Sequence, residues 1–67
     1  MKKVGIVCDN YKVPKFREEL NKAGFNDIAE SSVTMHSKLL KIQTPADRIP
    51  DVKRICQLLE LHFKHSN

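Results

Sequence analysis

The chain has no tryptophan, one tyrosine, three phenylalanines and two glycines. Each shortage excludes something. Without a glycine cluster there is neither a phosphate-cradling loop nor a dinucleotide fingerprint. The aromatics are Tyr11, Phe16, Phe25 and Phe63, and none falls in a segment patterned as a strand. A sheet that stacks bases on strand rings is therefore not expected. The two cysteines, Cys8 and Cys56, form no Cys-x-x-Cys pair. Both sit in apolar-patterned segments, where a thiol acts as a small hydrophobe. No stretch approaches the ~20 apolar residues of a membrane span. Met1-Lys2-Lys3 leads into only five uncharged residues, too few for a secretory leader. The expectation is a cytoplasmic protein with reduced thiols and no membrane contact.

What is present makes one small domain. Sixty-seven residues leave no room for a second. A chain this short hides only about 60% of its unfolded surface and needs extra stabilisation. Disulfides are not expected, so a partner subunit is the natural supplement. Twelve Lys and Arg against eight Asp and Glu give a net charge of +4. The cations are scattered, without a long run. Such a surface keeps a protein in solution and mildly favours anionic partners.

The pattern reads β-α-β-β-α. Lys2 to Cys8 alternates as a strand, with Val4, Ile6 and Cys8 on one face and Gly5 and Val7 on the other. Pro14 opens a helix whose apolar positions are Phe16, Leu20 and Ala23. Gly24 ends it as a left-handed cap, with Phe25 folding back on Leu20. Ile28 to Met35 is expected as a strand with Ala29, Ser31, Val33 and Met35 inward. His36-Ser37 would turn the chain into a third strand, Lys38 to Gln43. Thr44 to Asp47 resembles a weak capping box. Pro50 starts a long helix with the stripe Val52, Ile55, Cys56, Leu59 and Phe63, ending in a frayed Ser66-Asn67.

The expected fold class is α+β: a three-stranded mixed sheet, strand one parallel to strand three, with two helices on one face. It resembles a truncated ferredoxin-like layout, a split β-α-β unit without its last strand. Such a resemblance concerns architecture and implies no function. Three features point to self-association, one of them the sheet face that no helix would cover. Strand one, with Val4 and Ile6, would have an unpaired edge. Leu58 and Leu61 widen the apolar arc of the last helix beyond its core stripe. A homodimer is the favoured assembly.

The segment joining the first strand to the first helix is the candidate ligand corner. Asn10 offers a donor and an acceptor, Tyr11 a ring and a hydroxyl, and Lys12 and Lys15 positive charge. Beside a helix N-terminus such a set suits a small anionic or phosphorylated ligand. Other chemistry has less behind it. Cys8 beside a helix start invites reading as a reactive thiol, but its alternation with Val4 and Ile6 makes it a core residue. His62 and His65 stand three apart, yet with His36 or a cysteine they still leave a fourth zinc ligand unnamed. No metal or cofactor is expected. The carboxylates fall mostly on exposed helix faces or in turns, so no catalytic residue is expected.

The function expected from sequence is a non-enzymatic, self-associating binding module. It would be an accessory or inhibitor protein, of a size familiar in phage and mobile elements, engaging a protein partner or an anionic ligand. The alternative is a basic nucleic-acid-binding regulator, whose affinity would fall steeply with salt. A third class is an enzyme subunit whose site spans two chains.

Overall fold

The computed structural model describes residues 1–65, of His65 the backbone alone; Ser66 and Asn67, expected as a frayed end, lie outside the described residues. The elements are β1 (Lys2–Asp9), a 3-10 turn (Asn10–Lys12), α1 (Val13–Lys22), β2 (Ile28–Ser32), β3 (Ser37–Thr44), a second 3-10 turn (Ala46–Arg48) and α2 (Ile49–His65). The order β-α-β-β-α is the one expected from the sequence.

Local chemistry explains the helix ends. Pro14 occupies the first turn of α1, where its missing N–H costs nothing. At the other end Gly24 takes φ +98°. Phe25 N–H then donates to the Leu20 carbonyl at 2.9 Å, and Gly24 N–H to Asn21 at 3.0 Å. Those two bonds are the Schellman motif, and Phe25 and Leu20 share one buried cluster. The long helix begins at Ile49, one residue before the expected Pro50, because the 3-10 turn at Ala46–Arg48 runs directly into it. Thr44 is fully buried, and its hydroxyl donates to the Pro45 carbonyl rather than to a helix N–H.

The strand order is β1-β3-β2, and both pairings are antiparallel. The expected mixed sheet, with β1 parallel to β3, is thus overturned. The crossover through α1 links β1 to β2, and those two strands share a direction. The β2–β3 hairpin sends β3 back between them, antiparallel to both.

The second strand is also shorter than expected, ending at Ser32. Its core-facing residue is Ile28, packed into both apolar clusters. Ile28 is the one large aliphatic side chain in the strand, and it sets the register. Period two then puts Glu30 and Ser32 on the helix side and turns Ala29 and Ser31 to the open face. Val33 and Met35, expected inward, are exposed in the connection between β2 and β3. That connection is closed by Val33 N–H donating to the Ser37 carbonyl at 3.1 Å. Ser37 accordingly belongs to β3 and not to the turn expected at His36-Ser37.

Both helices lie on the face that carries Val4, Ile6, Cys8, Leu40 and Ile42. One cluster joins Cys8, Val13, Phe16, Leu40 and Leu59. The other joins Leu20, Phe25, Ile42 and Val52. Phe16, Leu20, Leu40, Ile42 and Val52 are fully buried, each contributing roughly 1.5–3 kcal/mol by burial. The helices run antiparallel: Phe16 stacks with Phe63 at one end, and Arg48 bonds the Ala23 carbonyl at the other. The expected stripe of α2 holds, and no described helix is long and apolar enough to cross a membrane.

Candidate binding surface at the sheet edge

The strand-to-helix corner is built, but its four candidate residues face three ways. Asn10 faces the β2–β3 connection: its Nδ2 donates to the Met35 carbonyl at 3.0 Å and its N–H to His36 at 2.8 Å. Tyr11 and Lys12 face α2. The Tyr11 ring meets Phe63 edge-on at 5.8 Å. Lys12 Nζ lies 3.2 Å from Glu60 Oε2, 3.9 Å from Asp9, and over the Tyr11 and Phe63 rings at 5.7 and 5.4 Å. The hydrogen bond to Glu60 is the main reason its pKa lies above the ordinary lysine value. Lys15 points elsewhere, pairing with Glu19 one turn on at 3.2 Å. That bond is also the main cause of the lowered Glu19 pKa. Both corner lysines therefore already hold carboxylates.

Tyr11 and Lys12 form one wall of a groove of about 750 Å³. The other wall is α2, through Cys56, Gln57, Glu60, Leu61, Phe63 and Lys64. Sequence reasoning missed Gln57, Glu60 and Lys64 here. Their signal was the i, i+3, i+4, i+7 spacing of Gln57, Glu60, Leu61 and Lys64, which marks one helix face. A smaller groove of about 250 Å³ on the α1 side is lined by Lys15, Glu19, Ile55, Leu58, Leu59 and His62. Leu58 and Leu61 thus belong to different grooves, and remain 59% and 50% exposed.

The thiols are quiet. Cys8 is buried, and burial, with Glu60 and Asp9 nearby, raises its pKa. Burial does the same to Cys56, up to about 11, with smaller contributions from Cys8 and Glu60. Neither is a thiolate near neutral pH. Among the described residues, no three His, Cys, Asp or Glu side chains gather as a metal site. The His65 side chain, half of the His62–His65 pair, lies outside the described residues.

The remaining surface is the edge of β1. Among the described residues, no strand pairs with β1 on the side away from β3. Which groups face that side follows from the register. Asn10 N–H bonds the His36 carbonyl, one step beyond the Asp9↔Ser37 pair. Bonded and non-bonded pairs alternate in an antiparallel ladder. Even-numbered residues of β1 therefore bond β3, and Lys3, Gly5, Val7 and Asp9 turn their N–H and C=O outward. The other side of β3 agrees: Val33 N–H bonds Ser37, which assigns odd-numbered β3 residues to β2. Val4 and Ile6, expected at the subunit contact, face the helices and are half-buried.

The two sheet edges differ. On β2, Arg17 Nη1 donates to the Ile28 carbonyl at 3.2 Å and to Glu30 at 2.6 Å. α1 thus covers part of that shorter edge. β1 is eight residues long and uncharged from Val4 to Cys8. On the open face beside it, Val7 is 60% exposed, and Leu39 reaches over Gly5. A Cβ at Gly5 would sit 3.1 Å from Leu39 Cδ1, so the glycine allows that close approach. Comparison with known protein families, curated proteins and solved structures finds no match to this chain.

Proposed function

We propose that this chain is a non-enzymatic binding module that self-associates, and that its working surface is the free edge of β1. The observation that carries this reading is an eight-residue strand that, among the described residues, is paired on one side only. Unpaired N–H and C=O groups in a row are a template for another strand. The layout is then a ferredoxin-like split β-α-β unit in which the place of a fourth strand, beside β1, is left for a partner. A thin core makes such pairing stabilising as well as adhesive. The two free thiols fit a reducing, cytoplasmic setting.

The edge is a better candidate than the anion corner. An anion at Lys12 or Lys15 would have to displace Glu60 or Glu19. Tyr11 and Lys12 instead shape the groove flanking α2. The nucleic-acid alternative gains no specific support, since Tyr11, Phe16, Phe25 and Phe63 all lie outside the three strands.

The test is native mass spectrometry over a concentration series, with Val7→Pro as the edge-blocking variant. Val7 N–H faces outward, so proline there removes an edge donor without breaking the β1–β3 ladder. Wild type is expected to assemble and the variant, folded by circular dichroism, to remain monomeric. Assembly unaffected by Val7→Pro would overturn the reading.

A further inference from the structure

We propose that the strand which completes the sheet is β1 of a second copy, in one register: antiparallel about a two-fold axis through Ile6, so that Lys3 lies opposite Asp9 of the second copy. This rests on the free edge of β1 being the binding surface, and adds the occupant and its alignment.

The register is narrowed by elimination. Outward groups must meet outward groups, so odd-numbered residues face odd-numbered residues across the new ladder. The outward set is Lys3, Gly5, Val7 and Asp9, and Ile6 is its midpoint. Alignment about Ile6 engages all four, making about six backbone hydrogen bonds to free groups and about two more to the Asp9 carbonyls, which also cap the 3-10 turn. A shift of the pairing by two residues either way loses one bonded pair, and with it about two of those bonds.

Charge selects the same alignment. Lys3 and Asp9 are the charged residues of the outward set, and of opposite sign. Centring on Ile6 places them opposite each other at both ends of the interface. The shifted registers put Lys3 against Val7, or Asp9 against Gly5, leaving both charges unmatched. The Asp9 carboxylate is available: its contact with Lys12 is a loose 3.9 Å and its side chain is 54% exposed.

Side chains agree on both faces. On the open face Gly5 would lie beside Val7 of the second copy, a small residue beside a β-branched one. The exposed Val7 and the Leu39 that covers Gly5 would join their symmetry mates in one apolar strip. On the helix face Ile6 would meet Ile6 at a non-bonded pair, where side chains come closest, and Val4 would meet Cys8. Val4 and Ile6 are half-buried aliphatic groups at the sheet border, and Cys8 is already buried in the core, so the gain on this face comes mainly from the two aliphatic side chains. A two-fold contact is closed, so the six-stranded sheet ends at the two β2 edges, where Arg17 caps the Ile28 carbonyl.

The test is a charge swap read by sedimentation velocity on the full chain. Lys3→Asp and Asp9→Lys each put like charges opposite one another at both ends. Each is expected to weaken the dimer by on the order of tenfold or more. The double variant Lys3→Asp/Asp9→Lys restores opposite charges and is expected to recover most of that loss. Amide exchange of the wild type gives a readout without substitution: the Gly5 and Val7 N–H groups should gain protection as concentration rises. Singles without effect or a double that does not recover would overturn the register, and if Val7→Pro still abolished assembly in that case, the edge reading would survive. Gly5 and Val7 amides that stay unprotected in the assembled wild type would overturn the edge reading along with the register. A wild type monomeric at every concentration would overturn both.

Discussion

The guanidinium of Arg48 lies over the ring of Phe25, its Cζ 4.5 Å from the ring centroid. The same group donates from Nη2 to the Ala23 carbonyl at 3.0 Å and from Nε to Asp51 at 3.2 Å. One side chain thus locks the C-terminal cap of α1 to the start of α2. Arg48→Ala removes the cation–π contact and leaves the Ala23 carbonyl without this donor. A loss of about 1–2 kcal/mol is expected. In a domain of this size each kcal/mol shifts the melting temperature by about 4–8 °C. Arg48→Lys keeps the charge but not the fork, and should recover only part of the loss.

Asn10 has a structural assignment that predicts its own phenotype. Its side chain reaches the Met35 carbonyl, tying the end of β1 to the β2–β3 connection. Asn10→Ala should cost about 0.5–1.5 kcal/mol, the usual net worth of one hydrogen bond. Amide exchange should quicken from Val33 to His36 before it does in the centre of β3. An unchanged exchange pattern would remove Asn10 from that role.

Leu59 and Leu61 stand two residues apart on α2 and should behave oppositely. Leu59 is buried between β1, α1 and β3, while Leu61 is half exposed. Leu59→Ala is expected to cost about 2–5 kcal/mol, enough to unfold much of so small a domain. Leu61→Ala should stay within about 0.5 kcal/mol for the monomer. Urea melts at low protein concentration separate the two cases.

Alkaline pH should destabilise the fold through several groups of the same sign, Cys56 and Lys12 among them and buried Cys8 adding to them. The folded Cys56 thiol titrates at about 11, above the ordinary thiol value. Once pH exceeds the unfolded value, the unfolded chain releases its proton first and is favoured. The resulting loss grows until the folded thiol also titrates. Lys12 is raised as well, mainly by its bond to Glu60. Its contribution is complete below the unfolded lysine value, ~10.4, and is lost as pH passes the folded one. Urea stability should therefore fall between about pH 9 and 11, and more shallowly in Cys56→Ala. Equal slopes for wild type and variant would exclude Cys56 as the titrating group.

Much of the scaffold was legible because it is encoded locally. The cap at Gly24 and Phe25, the stripe from Val52 to Phe63 and the alternation of β1 each depend on neighbours within a turn or two. The inner face of β2 was misread because the segment mixes polar residues with apolar ones of both parities, and alternation from Ala29 to Met35 looked as good as alternation from Ile28. Only contact with both apolar clusters shows that Ile28 holds the core position. The candidate corner was misjudged for a related reason. Sequence shows Lys12 and Lys15 three apart where the first strand passes into the first helix, but not Glu60, 48 residues from Lys12, reaching one of them.

The sequence by itself determined the order of elements, the two ends of α1 and which face of each helix is apolar. Short-range hydrogen bonding and side-chain periodicity set these, and both act between residues close in the chain. Tertiary structure decided strand direction, the register that turns Lys3, Gly5, Val7 and Asp9 outward, and the carboxylate of Glu60 that holds Lys12. Those depend on which distant segment fills the gap between β1 and β2, a choice made by burial of the whole core and not by any single stretch.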